Sequence, residues 1–248
     1  MISKNQIKFI RQLEQKKFRR REGLFVAEGP KVVGDLMRRF RPTAVFATPD
    51  WNHGDVPVTR VTPDELRRIS FLQHPQQVLA LFPLPDTSTP VDSSLFTIHS
   101  SLALALDGVQ DPGNLGTIIR IADWFGIETI FCSEDTADAY NPKVVQATMG
   151  SLAHVHIIYC DLTAMLDSLP EGFPVYGTLL DGDDIYRQEL TPEGIIVMGN
   201  EGNGISEAVR RRVNRRLLIP SFHPGDAAES LNVAVATAIT CSEFRRRS

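Results

Sequence analysis

Cysteine is scarce in this 248-residue chain. Its three cysteines, Cys132, Cys160 and Cys241, stand far apart with no CxxC pair. That spacing excludes a disulfide scaffold, argues against a structural zinc site and fits a reducing cytosol. Long apolar runs are also missing, and none approaches the ~18 residues that a membrane helix requires. The opening Met1-Ile2-Ser3-Lys4-Asn5-Gln6 has no apolar h-region, so no secretory signal is expected. No GxGxxG occurs, which removes the dinucleotide fingerprint and with it a Rossmann dehydrogenase. Net positive charge is lacking as well. The chain carries −4 with pI near 5.9, on its face a poor match for a nucleic-acid binder.

The average conceals a split. Residues 1–41 hold 12 Lys/Arg against 4 Asp/Glu, residues 42–209 hold 6 against 23, and residues 210–248 hold 8 against 3. Two basic ends therefore flank an acidic middle. Such asymmetry suits a polyanion partner, although solvated helix faces would produce the same counts. The rest is ordinary globular material, 42% hydrophobic and 23% charged, sufficient for one or two buried cores.

The first stretch reads as a small α/β unit. Ile7, Ile10 and Leu13 repeat at helical spacing and precede Lys16-Lys17-Phe18-Arg19-Arg20-Arg21. Leu24–Ala27 is a short strand, Gly29-Pro30 opens a helix to about Met37, and Ala44–Ala47 is a further strand. Thr62-Pro63-Asp64-Glu65 carries a capping box with Pro at the first helical position. Val78–Phe82 closes the unit. Residues 83–94, PLPDTSTPVDSS, read as a linker and set a boundary near residue 90. Beyond it strands alternate with helices. The strands are Leu102–Leu106, Thr129–Cys132, Val155–Ile158, Val175–Leu179, Ile195–Met198 and Arg216–Ile219. The helices are Leu115–Phe125, Pro142–Met149, Leu162–Leu169, Ser206–Val213 and Ala234–Phe244. That alternation predicts a mostly parallel sheet with helices on both faces and a ligand site beyond the carboxyl ends of its strands.

Three segments carry the chemistry. In Leu106-Asp107-Gly108-Val109-Gln110-Asp111-Pro112-Gly113-Asn114-Leu115-Gly116-Thr117-Ile118-Ile119-Arg120, a strand ends, a Gly/Pro loop turns and a helix begins. The bland alternative makes Asn114 the N-cap and Arg120 a surface charge. In Val197-Met198-Gly199-Asn200-Glu201-Gly202-Asn203-Gly204-Ile205-Ser206, three glycines let backbone approach a ligand, with Glu201 among them. Ordinary turn chemistry would explain that carboxylate equally well. In the third, Leu217-Leu218-Ile219-Pro220 leads through a loop containing His223 to Ser230-Leu231-Asn232, which heads a long helix. Its plain reading makes Ser230 an N-cap and His223 a loop residue without a role.

Together these segments resemble the SpoU (TrmH-type) branch of RNA ribose methyltransferases, in the SPOUT superfamily. The resemblance rests on Asn-x-Gly-x-x-x-Arg after a strand, then Gly-Asn-Glu-Gly-x-Gly-Ile-Ser, then Ile-Pro followed by Glu-Ser-Leu-Asn-Val-Ala-Val-Ala, in that order over residues 100–246. Phe25-Val26-Ala27-Glu28-Gly29 is similar to the small RNA-binding domain that often precedes that fold. The resemblance implies an α/β chain of two domains: 1–90 binding RNA, and 91–248 a methyltransferase domain with a trefoil-knotted, mostly parallel sheet. It also implies methyl transfer from S-adenosylmethionine to a ribose 2′-hydroxyl, in ribosomal rather than transfer RNA, without a metal. Cofactor contacts would fall at Thr178, Leu179, Gly199, Ile219 and Leu231. Asn114, Arg120, Glu201, Ser230 and Asn232 would surround the ribose, with Glu201 orienting Arg120 or helix amides. A cytoplasmic homodimer through the last helix is implied, the arginine reaching towards the partner's cofactor. RNA phosphates would be gripped by Lys16, Lys17, Arg19, Arg20 and Arg21, and by Arg210, Arg211, Arg212, Arg215 and Arg216.

The segment Ile219–Leu231 runs about three residues longer than is usual in that family, through Phe222-His223-Pro224. The alternatives are a transfer-RNA 2′-O-methyltransferase and a catalytically silent RNA-binding or ribosome assembly factor of the same fold. The presence of all five polar residues argues against the silent factor. A base methyltransferase of the related knotted groups lacks support, because Cys241 lies deep in the last helix, where a small buried hydrophobe is the expected role.

Overall fold

Every apolar run singled out above becomes a strand, and the Pro- and Asx-opened stretches become helices. This is seen in a computed structural model that describes residues 2–52, 54, 56–85, 102–223 and 230–247. The linker and boundary expected at 83–94 fall largely outside the described residues, as does most of the lengthened loop at 221–228. In chain order the first elements are α1 (Lys4–Gln12), α2 (Lys16–Glu22), β1 (Leu24–Glu28), α3 (Pro30–Met37), β2 (Ala44–Ala47), β3 (Thr59–Arg60), α4 (Pro63–Ile69) and β4 (Val78–Pro83). There follow β5 (Leu102–Asp107), α5 (Pro112–Trp124), β6 (Thr129–Cys132), α6 (Pro142–Ala147), β7 (His156–Tyr159), α7 (Leu162–Asp167), β8 (Val175–Asp184), β9 (Gly194–Gly199), α8 (Glu207–Arg210), β10 (Arg215–Leu218) and α9 (Val233–Arg246).

The chain forms two compact units, Met1–Asp86 with Asp138–Ala153, and Thr87–Ala137 with His154–Ser248. The first is built on a four-stranded sheet of order β1-β4-β2-β3, antiparallel except for its β2–β3 edge. Ile10 of α1, Leu13 at its C-cap, and Leu66 and Ile69 of α4 pack against Val26, Phe46, Leu79 and Leu81 of its strands. The capping box read at Thr62 is formed, and Ser3 forms a second one with Gln6. The Phe25–Gly29 motif has a structural task here. Phe25 stacks on Phe82 with ring centroids 5.6 Å apart, and the buried Glu28 accepts the Phe71 N–H at 2.8 Å and the Ser70 hydroxyl. Burial pushes the Glu28 carboxyl above its ordinary pKa, against the opposing pull of those hydrogen bonds.

Asp138–Ala153, which carries α6, packs with this first unit, although the sequence pattern places it as a sheet-covering helix of the second. Its side chains and carbonyls explain why. Tyr140 lies against Phe25 at 5.0 Å, and Lys31 Nζ donates to the Met149 carbonyl at 2.7 Å. Arg19 pairs with Asp138 at 2.5 Å. Arg19 is 1% exposed, and its Nη1 also donates to the carbonyls of Leu13 and Glu14 at 2.8 and 2.6 Å. The expectation that Arg19 grips RNA therefore fails: its charge is consumed inside the protein. Its neighbours Lys17, Arg20 and Arg21 remain exposed on α2 and Lys16 is half-buried, with Lys17 and Arg21 over the Phe18 ring.

The second unit carries a six-stranded, wholly parallel sheet of order β10-β8-β9-β5-β6-β7. Its central strands read as unbroken apolar runs because both faces are covered. On one face Ala103, Ala105, Ile195 and Val197 meet Leu162, Met165 and Leu166 of α7 and Val209 of α8. On the other, Phe244 of α9 meets Tyr176 edge-on at 4.8 Å. Cys241 is fully buried in α9, and burial pushes its thiol up to about 12, in keeping with a packing role. No helix among the described residues is long and apolar enough to cross a membrane.

Breaking a buried ion pair strands a charge, at a cost of about 3–5 kcal/mol. Arg19→Ala is thus expected to lose stability in that range in urea unfolding. Arg20→Ala, on the exposed side of the same helix, is expected to change it by about 0.5 kcal/mol or less.

Candidate active site

Strand β8 runs longer than its apolar stretch predicts, and this makes the pocket. Its first residues pair with β9, and Tyr176 and Gly177 lie opposite Arg215 and Arg216 of β10. The register then jumps, so that Asp183 and Asp184 face Leu217 and Leu218. Between the two registers Thr178–Asp181 leave the ladder and turn towards a cavity, as strand irregularities beside active sites commonly do. Gly182 permits the return, because a Cβ there would strike the Leu217 backbone.

The cavity measures about 590 Å³ and opens at the carboxyl ends of β8, β9 and β10. All five residues expected to hold a cofactor, Thr178, Leu179, Gly199, Ile219 and Leu231, line it, and so does Ser230. Gly199 is obligatory, since the loop folds back so closely that a Cβ would overlap the Gly204 and Ile205 backbone. Leu180 and Leu231, 74% and 49% exposed, put apolar surface at the rim.

At its edge three of the expected polar residues form one hydrogen-bonded chain. Glu201 accepts the Gln110 and Asp111 amides, each at 3.3 Å, and Asn114 Nδ2 at 2.9 Å. Asn232 Nδ2 donates to Asn114 Oδ1 at 2.9 Å, while its own Oδ1 accepts the Ala234 and Val235 amides at the start of α9. An ionised carboxylate can only accept, so both carboxamides are fixed in orientation and every donor points towards Glu201. Burial alone would raise the Glu201 carboxyl. The hydrogen bonds from Asn114 and from surrounding amides outweigh it and hold the group below its ordinary pKa.

The capping alternatives fall away in this geometry. Asp111 is the N-cap of α5, accepting the Asn114 amide at 2.8 Å, which leaves the Asn114 side chain free for Glu201. Asn232, not Ser230, caps α9. An Asp directly before a Pro at the first helical position was the available signal for the former. Arg120 stands apart: it is exposed, and its guanidinium makes no hydrogen bond or ion pair among the described residues, with Glu201 or otherwise.

Four of the five arginines of the second basic cluster are also occupied. Arg210 and Arg216 pair with Asp181, Arg211 with Glu207, and Arg212 forks onto Asp167 at 2.7 and 2.5 Å. The expectation that these arginines grip RNA phosphates leaves out Asp181, which lines the cavity with Arg210. Among the described residues no group of three or more His, Cys, Asp or Glu is placed to hold a metal ion.

Comparison with known proteins shows the family. The SpoU rRNA Methylase family matches residues 101–242, and an MRM3-like substrate binding domain matches residues 4–80. A Bacillus subtilis protein named 23S rRNA (guanosine(2553)-2′-O)-methyltransferase RlmP is 31% identical, the match covering 98% of this chain and 97% of that one. A Porphyromonas gingivalis structure, described as a putative RNA methyltransferase of the TrmH family, is 43% identical with a TM-score of 0.87, covering all of both chains. A structure of an AdoMet-bound rRNA methyltransferase from Sinorhizobium meliloti is 30% identical with a TM-score of 0.85, covering 100% of this chain and 97% of that one. By its matched sequence and its fold, the chain belongs to the SpoU rRNA methylase family.

Proposed function

We propose that this protein transfers a methyl group from S-adenosylmethionine to a ribose 2′-hydroxyl of ribosomal RNA. The observation that carries the reading is the Glu201–Asn114–Asn232 chain at the edge of a glycine-walled cavity. The cavity suits the cofactor: its volume lies in the range of small-molecule sites, and the close return of the loop at Gly199 walls it with backbone. Ribosomal rather than transfer RNA is favoured because the B. subtilis relative, aligned over nearly its whole length, is named for 23S rRNA.

Thr178, Leu179, Gly199, Ile219 and Leu231 would hold the cofactor, largely through backbone. When bound, it supplies an electrophilic sulfonium methyl, so the protein's task is to place an oxygen in line with that methyl and to drain a proton from a very weak acid. Asn114 and Asn232 are rigid before substrate arrives, because each spends its side chain on fixed partners. Ser230, on the cavity wall, adds a hydroxyl that both donates and accepts. Glu201, held ionised, is a weak base and serves orientation. A guanidinium offers donors and no acceptor, so the role of Arg120 is a planar fork for an RNA phosphate and for developing alkoxide charge. The phosphate or water takes the proton.

A homodimer through α9 completes the reading. Arg120 and Trp124 lie one turn apart on one face of α5, and Trp124 is 85% exposed. Val235 on α9, which packs beside α5, is 48% exposed. Burying that apolar face against a second copy would carry Arg120 to the partner's cavity, which accounts for its guanidinium having no partner among the described residues of its own chain. Lys16, Lys17, Arg20 and Arg21 would hold RNA through phosphates, with affinity that falls as salt rises. The setting is the cytoplasm.

The direct test supplies tritiated S-adenosylmethionine and ribosomal RNA, then digests the product to nucleosides. Label in a 2′-O-methyl nucleoside is expected; label in a base, or none, overturns the reading. Gly199→Ala is expected to abolish the S-adenosylmethionine binding heat seen with the wild type in calorimetry. Arg120→Lys keeps the charge but loses the fork, and should lower turnover about 10²-fold; near-full turnover would remove the fork. Because the Glu201 pKa is depressed, its contribution is complete above the ordinary carboxylate range and lost only as pH falls through the lowered value. Any change of rate with pH near neutrality should therefore be the same in the wild type and in Glu201→Gln.

A further inference from the structure

Glu201 can orient Asn114 only while it stays opposite it, yet it stands among glycines that provide no bulk to hold it. Gly199, Gly202 and Gly204 leave this loop wide backbone freedom. Asn200 removes that freedom. Its N–H donates to the Gly204 carbonyl at 2.9 Å, and the Gly204 N–H donates back to its carbonyl at 3.0 Å, closing the loop as an isolated antiparallel bridge. Its side-chain Oδ1 accepts the Gly202 and Asn203 amides at 2.9 and 3.0 Å.

The other half of the carboxamide reaches out of the loop. Asn200 Nδ2 donates to the Gly108 carbonyl at 2.7 Å. Gly108 follows β5 directly, at φ +74°, and its N–H donates to Ser133 Oγ at 2.8 Å. Ser133 Oγ in turn meets Asp135 Oδ1 at 2.5 Å and Thr136 Oγ1 at 2.9 Å. Gly108 begins the short run whose next amides, Gln110 and Asp111, bind Glu201. At the far end of the glycine loop, the Ser206 N–H donates to Asp107 Oδ2 at 2.7 Å. One side chain thus ties together the loop that carries Glu201 and the loop that receives it.

We infer that Asn200 is a positioning residue for methyl transfer, setting the placement of Glu201 against Asn114. The inference rests on the reading of Glu201 given above. The chemistry is particular to a carboxamide, which accepts from two amides on one side and donates to a carbonyl on the other. Aspartate has the same shape and keeps the acceptor, but it sets a carboxylate oxygen against the Gly108 carbonyl. Alanine removes the tie without adding repulsion.

The test is a double-mutant cycle over wild type, Asn200→Asp, Glu201→Gln and the double variant. The single-turnover rate of methyl transfer to ribosomal RNA is measured with RNA and S-adenosylmethionine saturating. Asn200→Asp is expected to lower the rate by about 10²-fold, with the KM for RNA within about twofold of wild type. In the Glu201→Gln background the same change is expected to cost less than about threefold, because the orientation it protects is already lost. Asn200→Ala should show the same non-additivity and stands in if the aspartate variant does not fold. Equal factors in the two backgrounds, or a wild-type rate for Asn200→Ala beside a crippled Glu201→Gln, overturn the inference alone. A wild-type rate for Glu201→Gln removes the premise instead.

Discussion

An ionised carboxylate accepts hydrogen bonds and donates none, and at Glu201 this asymmetry organises the site. It forces the amide nitrogen of Asn114 inward, which leaves the Asn114 oxygen as the only acceptor for Asn232. Asn232 must then present its own oxygen to the first amides of α9. Each residue is held by the next, and the helix N-terminus closes the series. The arrangement is rigid before any substrate arrives, and a carboxylate so well solvated by donors stays charged at neutral pH. Lowering a reaction barrier through placement requires this kind of preorganisation, because alignment is then complete before the reaction begins.

The cavity beside it depends on backbone more than on side chains. Strand β8 slips register against β10, glycines at 182 and 199 allow two close passages, and the loop returns over the end of β9. These features gather at the carboxyl edge of a parallel sheet, where strands end and helices begin. In such sheets the edge is where ligands fit, since the backbone there is not yet committed to a ladder.

Charge is used in an unexpected way. The basic ends suggest a surface prepared for a polyanion, yet several of those cations are spent internally. Arg19 closes the first unit onto Asp138, Arg212 holds Asp167, and Arg247 pairs with the buried Glu243 at the end of α9. Solvent-exposed pairs contribute little, about 0–1 kcal/mol, and a phosphate can displace them. The Arg19 pair is different, because removing either partner leaves a buried charge.

Much of this was legible along the chain. Continuous apolar runs marked the strands, Pro and Asx residues marked helix starts, and clustered glycines marked the place where backbone approaches a ligand. These are local signals, set by torsional freedom and by the capping needs of the nearest amides. What the one-dimensional pattern left open was which of two polar residues caps and which faces the cavity, which arginine is buried, and which unit claims the helix at Pro142. Those outcomes turn on partners far away in sequence: Glu201 is 87 positions from Asn114, Asn232 is 118 from it, and Asp138 is 119 from Arg19. Composition and local periodicity determined the elements and the residue types of the site. Only the tertiary structure decided their pairing, because a hydrogen bond between distant residues exists once the sheet has brought their strand ends together.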